Sequence, residues 1–382
     1  TLVWRGADAI TWDPTPAAWL DAPGFTWVTP PPEGLDPEAT ARLALAFDPT
    51  IAAAAGAHAA RLAVPGLDFT LTVEVALARP LRLVIVGGDG RTLVSDAYGL
   101  DLRPASDRIA GTARHAIAWG AGRFFRGWAT GYEWQDPGAY AFSDDGINWQ
   151  PASAAPEFWA SGCAFGLDRF TCAVGDRTAW SLTGAAVVHE ATSWAGMLHA
   201  ISFHGDRFVA VGRGGRRAVS LDGVTWAHDT RDAGLPDGEG NDWFFDVAGR
   251  DDGLWVAVGG QDHAIVATSR DGGVEWQITR DRASRGASSV ACLPHLCLRT
   301  QPGPERQLMA TADGVEWTPI RLDGWLDYRL LGTANGWFIA AHNAWQQPGI
   351  VLRSRDGEVW EELHRAAEQV HWVDMAIEEW AE

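Results

Sequence analysis

The sequence predicts an all-β protein, a seven-bladed β-propeller preceded by an N-terminal β-rich extension. Three observations lead to this fold class. A short turn motif recurs at intervals of about forty residues, as in repeat proteins whose units cannot bury their own faces alone. A hairpin pattern precedes each copy of the motif, and a lone copy of the first hairpin strand lies near the end of the chain.

The turn motif reads Ser or Thr, any residue, Asp, Gly, two or three residues and then Trp. Asp-Gly is a strong hairpin signal, because Gly adopts positive φ and Asp accepts hydrogen bonds from nearby backbone N–H groups. We expect the Trp to return on the next strand and pack under the turn. Five copies begin at Ser143, Ser220, Ser269, Thr311 and Ser354 and end at Trp149, Trp226, Trp276, Trp317 and Trp360. A degenerate sixth copy consists of Ser181, Thr183, Gly184 and Val187.

This motif resembles the Asp-box, or BNR, repeat of sialidases, sortilin-type receptors, xyloglucanases and the photosystem II assembly propellers. The resemblance covers the five copies between Ser143 and Trp360, and it implies a propeller in which the box stabilises the fold. Sialidases also carry an Arg-Ile-Pro signature, whereas here Arg108 and Ile109 are followed by Ala110. The resemblance therefore implies a fold and disfavours sialidase activity.

Each blade is predicted to have four strands, two inner ones from the hairpin and two outer ones around the motif. The hairpins lie at residues 115–128, 161–175, 199–212, 244–259, 288–300 and 328–342. The lone strand 370–377 needs partners, and residues 81–104 read as strand, turn, strand, strand. Pairing the two segments closes a seventh blade and removes two open sheet edges. Residues 1–12 are an alternative donor, and eight blades are the main alternative count.

The segment before the repeats does not follow their pattern. We expect residues 1–72 to form a β-rich segment or cap. Residues 73–382 are expected to form the Asp-box β-propeller, closed by pairing of its N-terminal and C-terminal strands.

Composition excludes several classes of function. The formal net charge of −19 disfavours nucleic acid, because binding to it depends on Lys and Arg that neutralise phosphates. All 30 basic residues are Arg, so Schiff-base chemistry by lysine is excluded. No run of about eighteen apolar residues occurs, so we expect no membrane span. We also expect no cofactor.

The four cysteines fall as two pairs, one within each of two inner hairpins. When the hairpins are aligned, both pairs fall on facing positions of one antiparallel register. Facing side chains lie close to disulfide reach. We therefore predict the disulfides Cys163–Cys172 and Cys292–Cys297, and hence a periplasmic, secreted or cell-surface protein. Free buried thiols are the alternative, and the spacings match no usual zinc-ligand pattern.

One set of side chains is predicted to lie at the start of the innermost strands. Because innermost strands line the channel of a propeller, these side chains could converge at its mouth and bind a ligand. The set comprises His115, Ser161, His199, Ser288, Arg329 and His371, with Phe245 where an insertion shifts the count. Histidines on distant blades rarely reach one metal ion, so we expect bonds to water and neighbouring strands and no metal.

Aromatic side chains are concentrated in two segments that join second and third strands. Such rings suit stacking on sugar rings or packing on a partner protein, although packing within the loop is the alternative. They are Trp128, Tyr132, Trp134 and Tyr140 in residues 127–140, and Trp345 in residues 342–349. The acidic loop 228–243 lacks the EF-hand spacing and is interpreted as solvated.

These features favour a non-catalytic, extracytoplasmic binding or assembly propeller that recognises a glycan or a protein through aromatic loops. A divergent Asp-box glycoside hydrolase or lyase is one alternative, for which two carboxylates should face each other in a pocket. A structural subunit of a surface assembly is the other, for which residues 1–70 should carry a large apolar patch.

Overall fold

A computed structural model describes residues 82–378, apart from 96–100, 106–114, 131–136, 154–158, 190–196, 231–242, 262, 282–284, 302–306, 321–327 and 344–345. Before residue 82 it describes the backbone of nine strands. Contacts divide the chain into two units, Thr1–Pro80 and Leu81–Glu382. The regular elements of the described residues are all β-strands. Among these residues, none forms a helix of the length and apolarity needed to cross a membrane.

The N-terminal unit contains short antiparallel strands. They are β1 (Leu2–Val3), β2 (Ile10–Thr11), β3 (Leu20–Asp21), β4 (Phe25–Thr29), β5 (Gly34–Leu35), β6 (Thr40–Ala41), β7 (Ala44–Phe47), β8 (Ala57–Ala63) and β9 (Thr70–Ala76). β1 pairs with β6, β2 with β5 and β4 with β7, while β3, β8 and β9 form a three-stranded sheet.

The second unit consists of seven four-stranded antiparallel sheets, which we number as blades. Blade 1 contains β37 (Trp372–Ile377), β10 (Leu83–Gly87), β11 (Thr92–Ser95) and β12 (Leu102–Pro104). Blade 2 contains β13 (His115–Gly120), β14 (Arg123–Ala129), β15 (Gly138–Ser143) and β16 (Gln150–Pro151). Blade 3 contains β17 (Ala160–Gly166), β18 (Arg169–Val174), β19 (Arg177–Ser181) and β20 (Val188–His189). Blade 4 contains β21 (Leu198–His204), β22 (Arg207–Gly212), β23 (Arg217–Ser220) and β24 (Ala227–Thr230).

The remaining three blades follow in chain order. Blade 5 contains β25 (Phe244–Gly249), β26 (Trp255–Gly259), β27 (Ala264–Ser269) and β28 (Gln277–Asp281). Blade 6 contains β29 (Val290–Leu293), β30 (Leu296–Gln301), β31 (Gln307–Thr311) and β32 (Thr318–Ile320). Blade 7 contains β33 (Tyr328–Ala334), β34 (Trp337–His342), β35 (Ile350–Ser354) and β36 (Glu361–Arg365).

The first strand of each blade is its innermost strand, and the blades close into a ring. The strands β37, β13, β17, β21, β25, β29 and β33 contact one another in that cyclic order. Blade 1 joins the two ends of this unit, because β37 pairs with β10 and places Met375 opposite Ile85. The seven-bladed propeller predicted from the sequence is therefore confirmed, and the eight-bladed alternative is wrong.

Neighbouring blades pack face to face through apolar layers. A buried ring lies near the start of the second strand in five blades, and across one interface the rings of Phe125 and Phe170 are 5.1 Å apart. Burying such a ring contributes about 2–3 kcal/mol. The five rings are those of Phe124, Phe170, Phe208, Trp255 and Phe338.

The turn motif forms one hydrogen-bonded turn in all five full copies. In the first copy, Ser143 Oγ accepts the N–H of Gly146 at 2.9 Å, and Asp145 Oδ1 accepts the N–H of Asn148 at 2.7 Å. Burial alone would raise the pKa of Asp145, but the hydrogen bonds, led by that from Asn148, lower it to about 2. The indole Nε1 of Trp149 donates to the Gly146 carbonyl at 3.2 Å. The side chains of the motif thus supply hydrogen-bond partners for the backbone of their own turn.

The motif turns also join neighbouring blades. Thr268 of blade 5 donates from Oγ1 to the carbonyl of Gly314 in the turn of blade 6, at 2.7 Å. In the degenerate sixth copy, the N–H of Gly184 still bonds to Ser181 Oγ at 2.9 Å, while the hydroxyl of Thr183 stands where other copies have Asp. The turn is therefore retained without its carboxylate.

Both predicted disulfides are confirmed. Cys163 faces Cys172 in the hairpin of blade 3, with Cα atoms 4.1 Å apart. Cys292 faces Cys297 in the hairpin of blade 6, with Cα atoms 4.0 Å apart. These pairs account for all four cysteines of the chain. The constant register of the repeat was therefore enough to identify the partners.

Candidate functional site

The central channel of the propeller has two mouths. At the strand-start mouth the innermost strands begin, with residues such as His199 and Arg329. At the hairpin mouth the innermost strands turn into the second strands, for example at Leu167–Asp168 and Gly205–Asp206. The side chains at the two mouths differ in chemistry.

β-Bulges direct single side chains out of the sheets at the strand-start mouth. In blades 3, 4 and 5 the pairing of the first two strands shifts by one residue, and Ser161, His199 and Phe245 stand at these shifts. A bulge re-aims the side chain that it carries. The three residues lie on neighbouring blades, and Ser161 donates from Oγ to the carbonyl of Leu198 at 2.9 Å. Phe245 stands at the bulge of blade 5 as His199 stands at that of blade 4.

Four side chains form an aromatic cluster at this mouth: His199, Trp243, Phe245 and Arg213. The imidazole of His199 stacks on Phe245 with ring centroids 5.5 Å apart, and it meets Trp243 edge-on at 5.3 Å. The guanidinium of Arg213 lies 4.9 Å from the Trp243 ring. The three rings are half-buried and Arg213 is exposed. The cluster therefore offers aromatic surface and a cation to solvent together.

The backbone holds this aromatic cluster in place. Arg213 and Trp243 form an antiparallel bridge between blades 4 and 5. The carbonyl of Trp243 accepts the N–H of Gly260 at 2.8 Å, and the N–H of Arg213 bonds to the carbonyl of Met197 at 2.8 Å. The rings consequently sit on a backbone whose groups are paired, a condition for a preorganised contact surface.

Two further predicted site residues are exposed at the same mouth. Arg329 is exposed on β33, and His371 is exposed just before β37. His371 Nε2 lies 3.2 Å from the amide nitrogen of Gln369. Ser288 is also exposed, and its N–H donates to Thr300 Oγ1 at 3.0 Å. The described part of this mouth thus presents several cationic or titratable side chains.

Three predicted site residues are buried, and the prediction of ligand contact is wrong for them. His115, Trp128 and Tyr140 are 5%, 9% and 2% exposed. The guanidinium of Arg126 bonds to His115 Nδ1 at 3.0 Å, and burial lowers the pKa of Arg126 to about 9 despite the opposing charge of Asp89. The reason is geometric: these residues lie within strands of blade 2, whose faces are covered by neighbouring blades.

Tyr140 shows this burial most clearly. It is part of strand β15, and its ring packs 5.3 Å from that of Phe125. Burial raises the pKa of the Tyr140 hydroxyl above its usual range. Three other predicted aromatic contacts, Tyr132, Trp134 and Trp345, lie outside the described residues, as does most of the acidic loop 228–243.

Two carboxylates link innermost strands of neighbouring blades. Asp246 Oδ2 accepts the N–H of Val290 at 2.9 Å, and Asp374 Oδ2 accepts the N–H of Ile117 at 2.9 Å. Burial raises the pKa of Asp246 to about 6 and that of Asp374 to about 7, although these hydrogen bonds and the charge of Arg329 lower both. The two carboxylates therefore act as acceptors for strand-edge N–H groups.

The hairpin mouth contains a cavity of about 1290 Å³. Its wall includes Trp119, Phe165 and Phe203, one from each of blades 2, 3 and 4. Sequence reasoning missed this cavity. A signal was present in the pairs Trp119-Gly120 and Phe165-Gly166 at the ends of successive innermost strands. The described residues include no group of three or more His, Cys, Asp or Glu that could hold a metal ion.

Comparison with known proteins identifies the fold alone. No protein-family model matches the sequence, and no curated protein matches it. YCF48 from Cyanidioschyzon merolae is similar in structure, with 16% identity, 65% of this chain and 83% of that chain covered, and a TM-score of 0.47. A structure of YCF48 bound to D1 peptide gives 12% identity, 80% and 98% coverage and a TM-score of 0.49.

A third similar structure is a designed protein. The computationally designed Ika8 protein gives 12% identity, covers 80% of this chain and 89% of its own, and has a TM-score of 0.52. At such low sequence identities, structural similarity establishes only a common arrangement of strands. This chain has the β-propeller fold. Its function has to be argued from its own side chains.

Proposed function

We propose that this protein is a non-catalytic, extracytoplasmic binding or assembly propeller that holds a glycan or a protein at its strand-start mouth. The observation that carries the proposal is the aromatic cluster of His199, Trp243, Phe245 and Arg213. Its rings are half-buried on a paired backbone, and its guanidinium is exposed. Aromatic rings and Arg are the side chains that dominate binding energy at interfaces.

The cluster suits both classes of partner that the sequence predicts. A half-exposed indole such as that of Trp243 can stack on a sugar ring or fill a hollow of a protein surface. Arg213 and Arg329 add cations at the mouth of a chain whose net charge is −19. Because unlike charges steer encounter, we expect the bound group to carry a carboxylate, sulfate or other anion.

A non-catalytic role is supported by the use made of the two inner carboxylates. Glycoside hydrolysis needs one carboxyl group that donates a proton and another that attacks or activates water. In Asp246 and Asp374, both oxygens already accept backbone N–H groups. We therefore assign these carboxylates to holding the blades together.

An extracytoplasmic location is supported by the two disulfides. Both are formed between strands of one hairpin, and they leave no cysteine of the chain unpaired. Disulfides persist in oxidising compartments and are rare in the reducing cytosol. We also infer that the chain belongs to the Asp-box superfamily, which the shared hydrogen bonding of its five turns supports.

The experiment is an affinity measurement on arrays of defined oligosaccharides and peptides with wild-type protein and Trp243→Ala. We expect wild-type protein to bind acidic members of one array, and Trp243→Ala to bind them about tenfold or more weakly, as for a central interface aromatic. Arg213→Gln should weaken binding less and reduce its dependence on salt.

The matched control is Trp337→Ala. Trp337 is also half-buried, and the guanidinium groups of Arg353 and Arg355 lie 4.3 and 4.4 Å from the centroid of its ring. Unlike Trp243, it lies on the hairpin side of blade 7. This variant should bind like wild-type protein. Equal binding by wild-type protein and Trp243→Ala would exclude the cluster as the binding site, and binding to neither array would exclude the proposed function.

A further inference from the structure

The hairpin mouth carries a second site, distinct from the aromatic cluster at the other end of the channel. We infer that its cavity binds a peptide segment that carries both apolar and basic side chains, supplied by a partner protein. The cavity volume of about 1290 Å³ exceeds that of ordinary small-molecule pockets, which hold about 300–1,000 Å³. The chemistry of its wall and rim identifies the segment.

The wall is aromatic, and each of three successive blades contributes one ring to it. The ring of Phe165 packs over Gly120 of the preceding blade, where an added Cβ would come within 1.9 Å of it. The ring of Phe203 packs over Gly166 in the same way, with the corresponding distance 2.2 Å. Trp119, which is half-buried like these two rings, lies next to Gly120 and also lines the cavity.

The rim adds exposed leucine side chains. Leu167 and Leu182 line the cavity, and they are 40% and 51% exposed. Leu167 has a positive φ of 50°, an uncommon conformation for a residue with a large side chain. Leu182 occupies the second position of the degenerate motif, next to the Thr that replaces Asp. Large apolar side chains exposed around a hollow are typical of an interaction site.

The charge of the rim is negative. Asp144, Asp168 and Glu378 line the cavity, and no Arg is among the described residues that line it. Arg123 and Arg82 approach Asp144 and Glu378 at 3.2 and 3.5 Å, so Asp168 is the clearest place for a cation from a partner. A Lys or Arg that meets both a carboxylate and an aromatic face gains ion pairing and cation–π attraction together.

The occupant is therefore a basic and apolar peptide segment. Its apolar side chains match the rings of the wall and the exposed leucines, and its cations match the carboxylates of the rim. Lysine would have to come from a partner, since this chain contains only Arg among its 30 basic residues. A neutral or acidic segment would bring no counter-charge to Asp168.

The test is isothermal titration calorimetry of the full chain with a short amidated peptide of alternating leucine and lysine. A peptide with glutamate in place of lysine is the matched probe. We expect the lysine peptide to bind and the glutamate peptide to show no binding. Asp168→Asn should weaken the lysine peptide several-fold, because it removes one ion pair at the exposed rim. Asn also tolerates the positive φ of 58° at this position.

Two control substitutions lie at equivalent positions outside the cavity. Asp206 stands in the hairpin turn of blade 4 as Asp168 does in that of blade 3, and it pairs with Arg207 at 2.7 Å. Leu221, 65% exposed, holds the motif position that Leu182 holds one blade earlier. Leu182→Ser should weaken peptide binding several-fold, whereas Asp206→Asn and Leu221→Ser should leave it unchanged.

Several outcomes would overturn the inference. They are the absence of binding by the lysine peptide, equal binding of the glutamate peptide, and equal weakening by the control substitutions. If Trp243→Ala rather than Asp168→Asn weakens the lysine peptide, the segment binds at the strand-start mouth. The cavity inference then fails while the proposed function stands. If Asp168→Asn alone acts and neither array responds to Trp243→Ala, the reverse holds.

Discussion

The two mouths of the channel differ in how closely their residues follow the sequence repeat. At the hairpin mouth the repeat dominates, and each of the rings of Phe165 and Phe203 packs over a Gly in the innermost strand of the preceding blade. At the strand-start mouth the repeat is interrupted by bulges, which present His199 and Phe245 differently from their paired neighbours. The comparison teaches that periodic positions build the propeller and the aromatic wall of the hairpin mouth, whereas bulged positions give the strand-start mouth its chemistry.

The turn motif belongs entirely to the first category. Its Asp and Ser or Thr side chains accept N–H groups of the turn, and its Gly carbonyl can accept a hydroxyl from the preceding blade, as Gly314 does from Thr268. These contacts are internal. The aromatic cluster, in contrast, leaves Arg213 exposed and three rings half-buried. Substitutions in the two regions should therefore separate stability from binding.

The largest effect on stability is expected from Trp317→Ala. The indole of Trp317 bonds to the Gly314 carbonyl at 3.2 Å and lies under the guanidinium of Arg299 at 5.0 Å, so its removal leaves a hollow between strands. We expect the free energy of unfolding to fall by about 3 kcal/mol, measured by urea denaturation. Trp243→Ala is the control, and it should cost much less. Equal losses would show that the cluster is structural.

A smaller effect is expected from pH, through the carboxylates that join the blades. Because burial raises the pKa of Asp374 to about 7 and of Asp246 to about 6, the folded protein keeps these protons where the unfolded chain, with a value of 3.8, has lost them. The free energy of unfolding should therefore decrease as pH rises from about 4 through about 7. Thermal melts between these limits measure the slope.

The variant that checks this pH dependence is Asp374→Asn. Its amide oxygen can still accept the N–H of Ile117, but the side chain no longer titrates. The decrease in stability with pH should become shallower than in wild-type protein. An unchanged slope would contradict the assignment of Asp374 as a group that stays protonated in the folded state.

The smallest effect is expected from Asp222→Ala. Asp222 accepts the N–H groups of Val224 and Thr225 at 2.8 and 2.7 Å, at a site partly open to water. We expect a loss of about 1 kcal/mol at neutral pH, because water can replace part of the bonding.

The acid dependence of that loss is its check. Burial opposes the hydrogen bonds, yet the pKa of Asp222 is lowered to about 2, so its stabilisation is present above pH 4 and is lost as pH falls toward 2. The difference between wild-type and variant proteins should shrink over that range. A difference that stays constant would contradict a role for the ionised carboxylate.

Local and periodic information in the sequence was enough for the ring. The motif spacing indicated six blades, the lone strand 370–377 indicated the closing pair with residues 81–104, and a shared register identified Cys163–Cys172 and Cys292–Cys297. Each of these inferences depends on residues that are close in sequence or related by the repeat. Such patterns can be recognised in the sequence without knowledge of three-dimensional packing.

The candidate site was predicted only in part, because it depends on distances across the ring. His199 was predicted at the strand-start mouth, but its stacking on Phe245 and its edge-on contact with Trp243 follow from bulges that no local pattern reveals. Tyr140 and Trp128 were expected at a surface, whereas their strands carry them between blades. Burial in a propeller is decided by the neighbouring blade, which is remote in sequence.

The central claim is that binding depends on the strand-start mouth and folding on the motif. Its most direct test measures, on the same samples, the melting temperature and the affinity for the array member that binds best. We predict that Trp243→Ala keeps the wild-type melting temperature and loses affinity, while Trp317→Ala melts earlier and, below its melting transition, keeps its affinity. A Trp243→Ala protein that melts early, or a folded Trp317→Ala protein that no longer binds, would contradict the claim.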